Sequence, residues 1–196
     1  MSELFVELFS EEIPARLQIK ESKELKKNIK NFFIENQIKF NENFNVYSTP
    51  NRLVLHIDKI PNEIKLSSEE IKGPNVNAPE KALEGFIRSN NTILEKIFKK
   101  NTEKGEFYFF NKESRKIKVS DLLEKNLSEI LKKIAWNKSM KWANYDLYWG
   151  RPLKSILAIF NKKPLNFDFN HINSSNKTYI DKSLEEGIKI FNDFHS

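Results

Sequence analysis

The 196-residue chain contains no cysteine, only five glycines and only three histidines. Without cysteine it can form no disulfide framework, no thiol nucleophile and no cysteine-ligated zinc or iron–sulfur site. The glycines are too dispersed to form a glycine-rich phosphate-binding loop. His56, His171 and His195 are scattered along the sequence. We therefore expect no metal site, no cofactor bound by this chain and no histidine-dependent catalytic site.

Long hydrophobic runs are also lacking. The longest apolar stretch, residues 156–160, is far shorter than the roughly 20 residues that span a bilayer. The first residues include Glu3 and Glu7, where a signal peptide needs Lys or Arg. We therefore expect a cytoplasmic protein with no membrane partner. Hydrophobic residues still make up 39% of the chain, including 16 Phe, which is enough for the core of one large or two small domains.

Charge is distributed unevenly along a chain whose formal net charge is +6. Residues 1–12 contain four Glu and no basic residue, whereas residues 112–163 contain thirteen Lys and Arg against five Asp and Glu, a local charge of +8. Within the second segment, residues 136–151 interleave Trp and Tyr with Lys and Arg. Nucleic-acid binding by phosphate pairing and base stacking needs this mixture. A solvated surface, or a core with a basic rim, would also produce it.

The first sixty residues have the periodicity of a β-α-β-β unit. Ile29, Phe32 and Phe33 recur with helical spacing, and residues 3–9 alternate as in a strand. The predicted elements are a strand at 3–9, a helix from Pro14 to about Asn36, and strands at 43–48 and 53–60 joined by a turn at 49–52.

Helices and short strands mix in the rest of the chain without strict βαβ alternation. We predict strands at 69–73, 145–149, 153–160 and 165–169, a hairpin of 106–110 with 116–119, and helices at 79–89, from the capping box 92–95 to about 100, from a Ser120 cap to Ile134, and from the capping box 183–186 onward. This predicts an α+β fold of short antiparallel strands and helices, not a doubly wound parallel sheet.

The same patterns suggest three consecutive segments. Residues 1–75 form the β-α-β-β subdomain, and residues 76–170 contain helices and a basic, aromatic β region. Residues 171–196 contain a linker, best placed in the Asn- and Ser-rich stretch 170–177, and a C-terminal helix at the start of a region missing from this chain.

No catalytic residue is predicted. Glu11 and Glu12 could form an acid/base pair, but adjacent side chains point in different directions and helix starts favour acids. Ser139 lies near Lys138 and Lys141, as in a Ser–Lys nucleophile, but no oxyanion-binding loop accompanies it. His56 is simply explained as a strand residue.

Seven short segments follow one another over residues 3–153. They are Glu3 to Ala15, Thr49-Pro50-Asn51-Arg52-Leu53, Lys72-Gly73-Pro74, Ala82-Leu83-Glu84-Gly85-Phe86, Lys104-Gly105-Glu106-Phe107, Lys138-Ser139-Met140-Lys141-Trp142 and Arg151-Pro152-Leu153. In this order and spacing they resemble the beta subunit of bacterial glycyl-tRNA synthetase. The sequence departs from that family after residues 173–178, where residues 179–182 replace a basic stretch.

The resemblance implies that the chain is the N-terminal part of the larger subunit of a two-subunit glycine–tRNA ligase. Its partner, an alpha subunit similar to class II synthetases, would use ATP and hold the adenylate chemistry, in an assembly of two alpha and two beta subunits. This chain would contact tRNA(Gly), with cations on phosphates and Trp142 or Tyr148 stacking on bases. The candidate tRNA-contacting residues are Arg52, Lys132, Lys133, Lys138, Lys141, Trp142, Tyr148, Arg151 and Lys154. Among the other aromatic residues, Trp136 is expected to be buried.

Two alternatives remain open at this point. The chain could be a free-standing α+β RNA-binding module without a synthetase partner, or a structural interaction domain whose basic segment is a solvated face. Co-purification with an alpha subunit would separate the ligase interpretation from both. Binding to RNA across salt concentrations would separate the two alternatives from each other.

Overall fold

The computed structural model describes residues 1–66, 68–103, 105–180 and 187–195. Its helices are α1 (Ala15–Glu35), α2 (Glu80–Ser89) and α3 (Val119–Lys132). Its strands are β1 (Ser2–Ser10), β2 (Asn45–Thr49), β3 (Arg52–Ile60), β4 (Glu63–Leu66), β5 (Glu69–Asn75), β6 (Ile97–Thr102), β7 (Gly105–Lys112), β8 (Arg115–Lys118), β9 (Leu153–Phe160), β10 (Lys163–Pro164), β11 (Asp168–Phe169), β12 (Ile172–Ser175), β13 (Lys177–Tyr179) and β14 (Ile188–Ile190). The fold is therefore α+β, as predicted. No helix in the described part of the chain is long and apolar enough to cross a membrane.

The chain forms two compact units, which we call unit 1 (residues 1–64 and 118–196) and unit 2 (residues 65–117). The division differs from the three consecutive segments expected from the sequence. The reason is that β9 pairs directly with β1, so strands from both halves of the chain build one sheet. In the sequence, unit 2 lies between the two segments that form unit 1.

Unit 1 is built on a seven-stranded sheet with the order β11-β12-β9-β1-β3-β2, and β10 also pairs with β9. The β12–β9 pair is parallel, and the other pairs are antiparallel. The central strand β1 has Phe5 opposite His56 on β3 and Ile159 on β9. Because β1 has a partner on each side, its backbone hydrogen bonds are made within the sheet.

Different elements cover the two faces of β1, because successive side chains point to opposite faces. Leu4, Val6 and Leu8 share one face and are at most 1% exposed, and α1 packs against β2, β3 and α3. Phe5 lies on the other face, where Phe191 and Phe194 of the segment 187–195 pack over it. The sheet is therefore a buried central layer.

The first sixty residues confirm the predicted β-α-β-β order. Helix α1 covers almost the predicted span, with Leu25, Ile29, Phe32 and Phe33 all buried. The helix α3 is also confirmed by the burial of Leu123, Leu127, Ile130 and Leu131. Its N-cap residue is Lys118 rather than Ser120, and no side chain caps it.

Unit 2 contains the antiparallel sheet β5-β7-β6 and the helix α2. At two positions of unit 2 the structure explains why the residue is glycine. A Cβ on Gly73 would lie 2.9 Å from the ring of Phe86, and Gly105 has a φ of +110°, a conformation that glycine adopts most readily. Helix α2 was predicted correctly, and none of its residues is buried.

Two predictions for unit 2 are wrong. The helix predicted for residues 92–100 is a short 3-10 helix at Leu94–Lys96 followed by β6. Strand pairing overrides the local capping pattern, because Ile97 and Phe98 lie opposite Phe110 and Phe109 of β7. The predicted hairpin is also absent from the described residues, since β7 pairs with β5 and β6 whereas β8 pairs with β4.

Four predictions in the last third of unit 1 are corrected. Residues 145–149 form a loop instead of a strand, and the strand predicted at 165–169 is limited to β11. The expected linker 170–177 contains β12, whose Ser174 hydroxyl donates to the Leu165 carbonyl at 2.6 Å. The capping box 183–186 lies outside the described residues, but the residues after it form β14, paired with β13 instead of continuing a helix.

Glu21 on α1 is fully buried, and neither of its carboxylate oxygens has a hydrogen-bond partner among the described residues. Burial raises the pKa of this carboxyl, so the folded state holds a proton more tightly than the unfolded state. Stability from this group is therefore greatest below the ordinary pKa of Glu and is lost as pH rises through the raised value.

We expect Glu21→Gln to become more stable relative to the native chain as pH increases. Urea denaturation between pH 4 and pH 8 measures the difference. Glu35→Gln, at an exposed position of the same helix, is the control and should not change the pH dependence. Parallel pH profiles for the native chain and Glu21→Gln would contradict the assignment.

Candidate nucleic-acid interface

Four of the seven segments that carry the family resemblance meet around one cleft in unit 1. The cleft has a volume of about 680 Å³, and a smaller cavity of about 280 Å³ adjoins it through Pro14, Met140 and Arg151. Together they are lined by Glu11, Glu12, Ile13, Pro14, Ala15, Arg16, Leu17, Gln18, Pro50, Lys138, Ser139, Met140, Gly150, Arg151 and Pro152. These four segments are distant in the sequence, and the pairing of the strands brings them together.

Backbone hydrogen bonds hold the walls of the cleft together. The amide of Ile13 donates to the Pro50 carbonyl at 2.6 Å, and the amide of Glu11 donates to the Pro152 carbonyl at 2.9 Å. Helix α1 then begins beside the cleft at Ala15, with no acidic residue in its first turn. Arg16 occupies that turn and was missed by the sequence analysis. The sequence did contain a signal for Arg16, because a basic residue at a helix start stands where acidic residues are favoured.

The loop 136–151 is closed by a β-bridge. Met140 and Trp149 exchange backbone hydrogen bonds of 2.8 and 3.2 Å. Trp149 is 2% exposed and contacts Trp136 and Phe169, with ring centroids 5.0 and 5.3 Å away. Trp136, expected to be buried, is only half-buried. The loop is therefore fixed at its base by Trp149 inserted into the core.

The remaining aromatic side chains of the loop differ in accessibility. Tyr145 stacks on His171 at a centroid distance of 3.5 Å, and Trp142 meets the same ring edge-on at 5.7 Å. Burial lowers the pKa of His171, which favours the neutral ring. Tyr148 is 63% exposed, with the Lys141 Nζ 5.0 Å from its ring centroid. Tyr148 is thus better placed than Trp142 to stack on an external base.

The predicted cations of this region are mostly exposed. Lys133 and Lys138 are exposed and form no ion pair with the described residues. Lys132 pairs with Glu129 at 2.7 Å. Lys141 pairs with Asp146 at 2.7 Å, and this hydrogen bond raises the pKa of Lys141 and lowers the pKa of Asp146.

Arg151 connects the loop to the cleft. Its Nε donates to the backbone carbonyl of Glu12 at 3.1 Å, and its side chain lines both cavities. Together with Arg16 and Lys138 it makes the smaller cavity positively charged. Carboxylates also lie at the rim of the larger cleft, where Glu11 and Glu12 contribute to the wall.

Arg52 and Lys154 are placed differently from the other candidates. The Arg52 Nη1 donates to Glu7 at 2.6 Å, and its guanidinium lies 4.3 Å from the Phe9 ring centroid. Lys154 pairs with Glu11 at 2.5 Å, with only 16% of its side chain exposed. Both cations are therefore already paired within the chain. We leave Arg52 and Lys154 out of the candidate interface. The basic segment 112–163 is itself divided between the two units.

Gly150 fixes how closely the chain passes over Trp136. A Cβ at this position would lie 2.0 Å from the Trp136 ring, so Gly150→Ala must displace the indole. We expect a loss of about 1–3 kcal/mol in the free energy of unfolding, measured by urea denaturation. Gly85→Ala is the control, because a Cβ there meets nothing within 4 Å. Unchanged stability of Gly150→Ala would contradict the close packing of the loop base.

A family model described as "Glycyl-tRNA synthetase beta subunit" matches residues 4–195. The chain is also similar to the curated "Glycine--tRNA ligase beta subunit" of Rickettsia peacockii (strain Rustic), with 39% identity over 91% of this chain and 27% of that protein. The protein of the same name from Rickettsia typhi (strain ATCC VR-144 / Wilmington) is 40% identical, again over 91% of this chain and 27% of the relative. The chain therefore spans about a quarter of the length of the curated relatives it matches.

Proposed function

Because the chain belongs to the glycyl-tRNA synthetase beta subunit family, we propose that it is part of the beta subunit of a two-subunit glycine–tRNA ligase. In this proposal it contributes tRNA contacts and subunit structure to the charging of tRNA(Gly). A separate alpha subunit binds ATP and carries out adenylate formation, in a complex of two alpha and two beta subunits in the cytoplasm.

The observation that carries the tRNA contact is the cluster of largely exposed cations around the cleft and its loop, together with the exposed ring of Tyr148. Arg16, Lys138 and Arg151 line one cavity, and Lys141 and Tyr148 lie together on the adjoining loop. Cations of this kind pair with phosphates, and an exposed ring stacks on an unpaired base. The core-anchored Trp149 supports the loop, which limits the entropy lost when RNA binds.

Phosphate contacts position an RNA without reading its sequence. We therefore assign this surface to holding tRNA in the complex and not to recognition of particular bases. Lys133, exposed just after α3, extends the same set of candidates. Lys132 contributes less because Glu129 already pairs with it.

The carboxylates and the serine of the cleft do not form a catalytic arrangement in this proposal. Glu11 is engaged by Lys154, and Ser139 is exposed beside Lys138. We therefore expect the isolated chain to show no glycine-dependent ATP–pyrophosphate exchange. Adding the alpha subunit with the rest of the beta subunit should give exchange. Clear exchange by the chain alone would overturn the division of labour between the subunits.

Co-purification tests the partner directly. A tagged beta subunit containing this chain should retain a class II synthetase-like alpha subunit through size-exclusion chromatography. Failure of the two subunits to associate, together with retained RNA binding by this chain, would instead favour a free-standing RNA-binding module.

A further inference from the structure

Three side chains that lie far apart in the sequence come together on one face of the main sheet. Glu3 is in β1, His56 is in β3, and His195 follows β14. One donor atom from each lies within 4.8 Å of the others, and the Glu3 Oε2 is 2.9 Å from the His56 Nε2. The scattered histidines predicted no such cluster, because only the folded chain places residues 56 and 195 side by side.

Each of the three residues is held by a separate part of unit 1. The β1–β3 register places His56 opposite Phe5, on the face that also carries Glu3. The ring of Phe194 stacks on His56 at a centroid distance of 4.2 Å. The backbone amide of Phe194 donates to the Glu3 Oε1 at 3.3 Å. These contacts orient the carboxylate and one imidazole before any ligand arrives.

Two imidazoles and one carboxylate are donors that suit Zn²⁺, whereas Mg²⁺ and Ca²⁺ prefer oxygen ligands. Donors bound to one tetrahedral Zn²⁺ at about 2.0–2.2 Å lie roughly 3.3–3.6 Å apart. The Glu3 Oε2–His56 Nε2 distance of 2.9 Å is slightly shorter than that spacing, and the other donor pairs lie within 4.8 Å, so small side-chain rotations suffice. The side chains of Glu3 and His56 are each 19% exposed and His195 is exposed, which gives an ion a route from solvent.

We propose that Glu3, His56 and His195 form a Zn²⁺-binding site that fastens the segment 187–195 to the sheet, with a fourth position open to water. Zn²⁺ would bind the His56 Nε2 in place of the Glu3–His56 hydrogen bond, with the one proton of the neutral imidazole carried on Nδ1 and any second ring proton released to solvent. The site is distinct from the tRNA surface, so it extends the proposed function and does not depend on it.

The test is isothermal titration of the untagged, metal-free chain with Zn²⁺, combined with thermal unfolding at each Zn²⁺ concentration. We expect one equivalent to bind and the unfolding temperature to rise. His195→Ala and His56→Gln should each weaken binding at least tenfold. His171→Gln is the matched control, because His171 lies outside the cluster and stacks on Tyr145. Mg²⁺ at the same concentrations should have no effect.

His195→Ala should fold normally because the side chain is exposed, and it keeps the proposal testable if His56→Gln is unstable. Replacing Zn²⁺ with Co²⁺ should give the visible absorption of a low-coordinate site, absent from His195→Ala. No saturable binding would overturn the proposal and leave the Glu3–His56 pair as an ordinary hydrogen bond. Binding retained by His195→Ala, or lost equally in His171→Gln, would also overturn it.

Discussion

Replacing Phe33 with Ala is expected to lower the free energy of unfolding by about 3–5 kcal/mol. Phe33 is 0% exposed and packs against Phe40 and Phe32, with ring centroids 5.0 and 5.8 Å away. Truncation leaves a cavity in unit 1 where α1 meets its neighbours, and the surrounding rings can only partly fill it. Urea denaturation monitored by circular dichroism measures the loss.

Ile34→Ala is the matched control, because Ile34 is the next residue of α1 and is 57% exposed. It should change stability by no more than about 0.5 kcal/mol. Equal denaturation midpoints for Phe33→Ala and the native chain would contradict the assignment of Phe33 to the core.

On the proposed function, charge reversal at Lys138, Lys141 and Arg151 should weaken tRNA binding by the assembled ligase on the order of a hundredfold, since three charge-assisted contacts would become repulsive. The loss should be similar for different tRNA sequences, because phosphate contacts do not read bases. The slope of log affinity against log salt should flatten by somewhat under one unit for each lost contact. Lys141 should contribute least, because Asp146 already pairs with it.

Two further variants separate the causes of that loss. Tyr148→Ala should cost about 1–3 kcal/mol of binding free energy with little change in the salt slope, as expected for a lost stacking contact. Reversal of Lys99, Lys112 and Lys116, all exposed in unit 2, changes the net charge equally and should have a smaller effect. Equal losses from both triple reversals would mean that binding responds to overall charge and not to this surface.

Local periodicity was sufficient to predict the helices and strands whose buried face appears in the sequence as a regular pattern of apolar residues. The apolar stripe of Ile29, Phe32 and Phe33 identifies α1, and the alternation of Leu4, Val6 and Leu8 identifies β1. In both elements the residues of the apolar face are the ones that the fold buries. The seven ordered segments were likewise sufficient to identify the family. These predictions needed no knowledge of which strands pair.

Tertiary contacts decided the elements that were predicted incorrectly. Residues 97–98 are strand because β7 lies beside them, and Ser174 is buried because its hydroxyl bonds the Leu165 carbonyl. The same holds for the interface. Lys138 and Arg151 were predicted from the sequence, but only the fold brings Arg16 to them and turns Arg52 inward onto Glu7.

The most direct measurement compares two reactions of the assembled ligase carrying charge reversals at Lys138, Lys141 and Arg151. If this surface holds tRNA while the alpha subunit performs the chemistry, KM for tRNA(Gly) in aminoacylation should rise at least tenfold. Glycine-dependent ATP–pyrophosphate exchange should keep its native rate. An unchanged KM in a folded, assembled enzyme would contradict the tRNA contact, and a parallel loss of exchange would contradict the separation of tRNA holding from adenylate chemistry.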